Sequence, residues 1–293
     1  MAEMNDENDE IDEYDSVPSY ENEKLDIMIR NMRLCKTATF YVDTVSNGDL
    51  QLIADELKTN RRWTAVRIIG HNLVDQDGAN YFFDALTTNP AVKGLHLGGN
   101  SLGDTGVTLF MSFISNNHTI TDLILTDNHI TSIGAKSIGN MLAMNSMVTL
   151  LVLHGNPLGD DGVSSIVAAL ESNRTLTNLK LSVTSMTDVS AEKLASILPL
   201  NTVLRELSLD NNNIGDRGMQ AFCFALQANQ KLQCFFIRRN RISDVSLDAL
   251  TNLLQSNRIF DRFDLTRNQL GEQTKQILRQ INATNKTIAS LIL

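Results

Sequence analysis

Cysteine is scarce in this chain: Cys35, Cys223 and Cys234 are the only three in 293 residues, and they lie far apart. That excludes a disulfide framework and a paired-cysteine zinc site, so the thiols read as reduced and the setting as cytoplasmic. Long apolar runs are missing too. No stretch approaches the roughly 18 uninterrupted apolar residues of a spanning helix, so no membrane partner is expected. The opening MAEMNDENDEIDEYD has no base and no apolar core, and does not read as a secretory leader. Also absent are a phosphate loop, HExxH, a nucleophile elbow, a dinucleotide fingerprint and paired CxxC. The sequence predicts no catalytic residues, no cofactor and no metal.

Charge is present but unevenly spread. The formal net charge is −9, from 25 bases and 34 acids. Residues 1–26 hold eleven of the acids and one base, Lys24, which leaves 24 bases and 23 acids in the remainder. A near-neutral body argues against nucleic acid as a partner, because that role needs clustered positive charge to displace counterions. Residues 1–18 are expected to form an acidic disordered tail, with few apolar side chains and charges that repel one another. Such a tail either solvates the chain or folds onto something basic.

A repeat dominates everything after it. From Asn100, steps of 28 land on Asn128, Asn156, Thr184, Asn212, Asn240 and Asn268, and one step of 29 back gives His71. Two apolar columns precede these positions. The first runs Val66, Leu95, Leu123, Leu151, Leu179, Leu207, Phe235, Phe263, Leu291; the second follows two residues later, from Ile68 and Leu97 to Leu293. Apolar residues at i and i+2 share one side of an extended strand. The second half of each unit changes period. Phe82, Phe110, Ile138, Ile166, Leu194, Phe222, Leu250 and Leu278 form one column, and Leu86, Ile114, Leu142, Leu170, Leu198, Leu226 and Leu254 follow four residues later. An i, i+4 pair is one face of a helix. Each unit is therefore strand, turn, helix, turn. Helices are wider than strands, so stacked units must curve with the sheet inside.

The segments LTNLKLSVTS, LRELSLDNNNIGDRG and VKGLHLGGNSLGDTG follow L-x-x-L-x-L-x-x-N-x-L, and on them the chain resembles the leucine-rich repeat family. The 28-residue period is similar to its ribonuclease-inhibitor-like class. The resemblance implies an α/β horseshoe solenoid over residues 35–293, of about eight repeats, with parallel β-strands on the concave face and helices on the convex face. It also implies that the asparagine ties off backbone groups in the turn. His71, Thr184, Ser190 and Asn282 depart from the pattern. N-L-G-D-x-G is strongest in alternate units, which points to a two-unit period. Residues 19–34 are expected to form an N-terminal capping helix, with Leu25, Met28, Ile29 and Met32 at helical spacing and Ser19 as N-cap. The terminal strand IASLIL is an edge through which two copies could pair.

Two smaller signals are absorbed by the repeat. His96 and His154 fall on the open sheet face two strands apart, about 10 Å, too far to share a metal; a contact between Asp127 and His154 finds no nucleophile to complete it. Sequons occur at Asn117, Asn173, Asn282 and Asn285, and the repeat explains most of them, by recurrence at one place in the unit after the helix.

The open face changes character along the solenoid. Its N-terminal half is small, polar or aliphatic. Its C-terminal half gathers Arg205, Asp210, Phe236, Arg238, Arg239, Arg262, Asp264 and Arg267, with Arg241 on the neighbouring turn. Arg239 and Arg267 share one position on adjacent strands, where two like charges about 5 Å apart repel by roughly 0.8 kcal/mol even in water. An aromatic among arginines has the composition of an interface centre. The plain reading is a solvated face in which Arg238 pairs with Asp210 and Arg262 with Asp264. The functional expectation is a non-enzymatic scaffold that binds another protein there, through an acidic or phosphorylated segment. The resemblance adds two alternatives. The class includes the Ran GTPase-activating protein, which implies regulation of a small GTPase, and tropomodulin, which implies a cytoskeletal role. A host-directed effector adaptor and an immune-receptor sensing domain carry the same repeat.

Overall fold

The computed structural model describes residues 22–41, 47–70, 76–285 and 288–293. The acidic tail, Ser19 and His71 lie outside them. Among the described residues, ten strands form one parallel sheet in chain order: β1 (Thr37–Tyr41), β2 (Ala65–Ile69), β3 (Gly94–His96), β4 (Asp122–Ile124), β5 (Leu150–Val152), β6 (Asn178–Lys180), β7 (Glu206–Ser208), β8 (Cys234–Phe236), β9 (Arg262–Asp264) and β10 (Ser290–Ile292). A helix follows each of the first nine: α2 (Asn47–Thr59), α3 (Gln76–Thr88), α4 (Gly103–Ser115), α5 (Ser132–Met144), α6 (Gly159–Leu170), α7 (Asp188–Ile197), α8 (Asp216–Ala228), α9 (Leu247–Ser256) and α10 (Glu272–Asn285). The product is a curved α/β solenoid, as the repeat predicts.

Its core is the set of columns read from the sequence. The register places Leu95 beside Leu123, Leu151, Leu179, Leu207, Phe235 and Phe263 on successive strands. These side chains, and both helix columns from Phe82 to Leu254, are buried between the sheet and the helix layer. Burying each such side chain contributes about 1.5–3 kcal/mol, which offsets the ordering of short, three-residue strands.

The strands end so abruptly because the residue before each ladder position turns left-handed. Asp127, Val183, Asn211, Arg239 and Arg267 have φ between 51° and 61°, and Gly70, Gly99 and Gly155 do the same at 69–80°. The asparagine then closes the turn. Asn128 Nδ2 donates to Leu97 O (2.7 Å) in the preceding unit, while its Oδ1 accepts from Asn100 N (3.1 Å). Asn156, Asn212, Asn240 and Asn268 repeat the donation to a carbonyl 31 residues back.

A second asparagine ladder runs along the helix exits. Asn89, Asn145 and Asn229 donate to Leu57 O, Ile114 O and Leu198 O, and their Oδ1 atoms accept from the backbone two and three residues on. The sequon residues Asn117 and Asn173 belong to it, and both are buried. At the N-terminal end, α1 (Glu23–Met32) sets Leu25 and Ile29 into the core, and Trp63 Nε1 donates to Met32 O. Its N-cap is Asn22, whose Oδ1 accepts from Leu25 N (3.0 Å).

Candidate partner-binding face

Because side chains alternate along a strand, the residues flanking each buried column position face the open side of the sheet. The register aligns His96, Ile124, Val152, Lys180, Ser208, Phe236 and Asp264 in one row across β3 to β9. Phe236 stands half-buried in that row, and the Arg262 guanidinium lies 5.9 Å from its ring centroid. That distance is at the outer limit of a cation–π contact. Behind it the core is aromatic. Phe235 stacks on Phe263 (5.6 Å, 9°), with Phe222 and Phe260 against them, so the strands carrying Phe236 and Arg262 rest on a rigid base.

The predicted charges separate into two groups. Asp210 is 3% exposed and accepts from Arg238 three times: from the backbone amide (2.7 Å), Nε (2.9 Å) and Nη2 (2.7 Å). These bonds raise the Arg238 pKa further above its ordinary range. Asp264 is also buried, and it accepts from the Thr266 amide (3.0 Å) and hydroxyl (2.7 Å), with Arg238 Nε at 3.9 Å. The expected Arg262–Asp264 pair does not form. Thr266 and Arg238 hold that carboxylate on one side, while Arg262 lies over Phe236.

Arg239 and Arg267 are exposed, and among the described residues neither has a carboxylate within ion-pair distance. Arg239 Nη1 reaches only the neutral Asn211 Oδ1, at 3.4 Å. Both arginines line a pocket of about 550 Å³, together with Asn211, Arg238 and Thr266. Arg205 and Arg241 are exposed but do not line it.

The N-terminal half assembles no comparable group. His96 is half-buried; burial pushes its pKa below the ordinary value, and the charge of Arg67 adds to the effect. Asp127 N donates to His154 O (2.9 Å), but the Asp127 and His154 side chains share no hydrogen bond. The Asp127 carboxylate instead fills the space beside Gly155, where a Cβ would fall 1.8 Å from Oδ1. Among the described residues no three His, Cys, Asp or Glu side chains gather as a metal site, and no helix is long and apolar enough to cross a membrane.

Sequence reasoning missed one polar system. Asp104, Asp160 and Asp216, two units apart, each cap the next unit's helix start. Asp160 accepts from the Thr187 amide and hydroxyl (2.9 and 2.6 Å) and the Ser190 amide and hydroxyl (3.3 and 2.6 Å). Burial pushes these three carboxyls up, but the hydroxyl and amide donors outweigh it and hold them below their ordinary value. The 56-residue spacing of G-D was the available signal. Ser190, which looked like an irregularity, is a donor in this system.

A family model described as Leucine Rich repeat matches residues 88–111, 116–139, 145–167 and 200–223. No curated protein matches the chain in sequence. Among solved structures, the chain is similar to leiomodin-1 actin-binding site 2, at 21% identity and a TM-score of 0.42, over 52% of this chain and 88% of that one. It is also similar to internalin C2 from Listeria monocytogenes, at 18% identity and a TM-score of 0.39, over 85% and 84%.

Proposed function

We propose that this chain, a leucine-rich-repeat protein, is a non-enzymatic scaffold that grips a partner protein on the C-terminal part of its concave sheet. One observation carries the reading: Phe236 stands half-exposed on an open sheet face, framed by arginines that have no carboxylate partner among the described residues. Interface centres are enriched in aromatics and arginine, and a framed aromatic supplies most of the energy in such patches. Phe236, Arg239, Arg262 and Arg267 are the contact centre, with Arg205 and Arg241 at its rim. Asp210 and Asp264 serve from below, by fixing Arg238 as a wall of the site. Unpaired guanidiniums favour an acidic or phosphorylated partner segment.

The chain owns a segment of that charge. Residues 1–18 contain eight acids and no base, and we assign them the role of competing with the partner for the arginines. The three unpaired thiols fit a reducing, intracellular setting. Affinity capture from cell extract tests the reading, with wild type against a Phe236→Ala, Arg239→Ala, Arg267→Ala variant of unchanged circular dichroism. A partner held by wild type and lost from the variant supports it. The same proteins held by both would place recognition elsewhere on the solenoid.

A further inference from the structure

The pocket between Arg239 and Arg267 supports a sharper assignment, which rests on the concave-face reading. We infer that it is a subsite for a phosphate monoester dianion carried by the partner. The charge count selects the ligand. Arg238 is neutralised by Asp210, whereas Arg239 and Arg267 bring two positive charges to one pocket with no carboxylate in reach among the described residues. A carboxylate offers one charge and two oxygens, which a single guanidinium fork satisfies, leaving the second arginine unpaired. A phosphate monoester carries close to two charges at neutral pH and three terminal oxygens, so forks from two adjacent units can engage it together. Asn211 adds a neutral donor. Its Oδ1 accepts from Arg239 Nη1 at 3.4 Å, and the residue lines the same pocket. The volume, about 550 Å³, holds a phosphate with space for the side chain that bears it.

The backbone supports the same assignment. Arg239 and Arg267 sit at φ 51° and 61°, where the equivalent residues of other units include Gly70, Gly99 and Gly155. Bulky, like-charged side chains at two consecutive left-handed positions oppose folding twice, through strain and through repulsion. A bound dianion removes the repulsion and gives both side chains a reason to occupy those positions.

The test titrates the full chain with O-phosphoserine at constant ionic strength and pH 7.5, following the arginine Nε–H signals by nitrogen-15 NMR. The Arg239 and Arg267 signals should shift along one saturating curve while that of Arg241, exposed outside the pocket, stays still. Glutamate at matched ionic strength should bind at least tenfold more weakly. Lowering the pH to 5 should weaken phosphoserine several-fold, because the ester's second ionisation lies near pH 6. Arg239→Gln and Arg267→Gln should each lower its affinity about tenfold with unchanged circular dichroism. Equal binding of glutamate and phosphoserine, or Arg241 moving with the pocket arginines, would overturn the assignment. If the subsite fails while capture still depends on Phe236, the concave-face reading stands without it. If phosphoserine binds as described and capture does not depend on Phe236, the subsite stands and that reading falls.

Discussion

Val183, Arg239 and Arg267 occupy left-handed backbone at φ 51–61°, which side chains with a Cβ disfavour by roughly 1–2 kcal/mol. Val183 has the least compensation, since it is β-branched and 42% exposed. Val183→Gly is therefore expected to stabilise the chain by about 0.5–1 kcal/mol, read as a higher urea midpoint, after allowing for glycine's own entropy cost. Arg267→Gly should give a similar gain while weakening partner binding, and a loss of stability with partner binding unchanged would show that the arginine packs rather than binds. Thr184 is the other informative residue. Its hydroxyl bonds to Leu181 O (2.7 Å), but it is too short to reach the preceding unit as the ladder asparagines do. Following the ladder pattern, Thr184→Asn supplies a donor to Leu153 O and an acceptor for Asn156 N, and should stabilise by about 1 kcal/mol.

At the scale of elements, the aspartates that cap alternate helix starts make stability depend on acid. Asp104, Asp160 and Asp216 have folded pKa values below the ordinary 3.8. Their contribution is complete above that value and is lost as pH falls through it toward the folded pKa. The urea midpoint should thus drop steeply below about pH 4, and the gap between wild type and Asp160→Ala should close over the same range. At neutral pH that substitution should cost about 2–3 kcal/mol, because Thr187 and Ser190 lose a charged acceptor. These elements also show what a sequence reveals. A buried position that recurs every 28 residues must be apolar each time, so the columns were visible without coordinates, and so was the Arg238–Asp210 pair across one repeat. The asparagines at the helix exits were visible as spacing but not as bonds, because their acceptors lie 28–32 residues away. The Arg262–Asp264 expectation failed for a related reason. Sharing a strand face puts two charges near each other, but Thr266 and Arg238 are better placed to hold that carboxylate.

For the whole molecule, charge is divided between a near-neutral solenoid and an acidic first segment. If that segment competes for Arg239, Arg262 and Arg267, removing residues 1–18 should raise partner affinity several-fold and steepen its decline with salt, since the partner alone then neutralises the arginines. Unchanged affinity and unchanged salt dependence in the truncated chain would leave the segment a solvating role only.

The two ladders lapse together at one joint, and this has a mechanical consequence. The Thr184 side chain makes no rung to the unit before it, and Asn201 Nδ2, which should reach back across the same joint, is buried without a hydrogen-bond partner. A notch of about 270 Å³ opens there, between Leu170 and Arg174 on one unit and Ile197 and Asn201 on the next. Asp160, with its four bonds to Thr187 and Ser190, rivets this joint. Units in a solenoid transmit load only to their neighbours. Pulled from its two ends, the chain should therefore tear first between α6 and α7, and at lower force in acid as the rivet protonates. Thr184→Asn should move that first rupture in a force–extension trace to higher force.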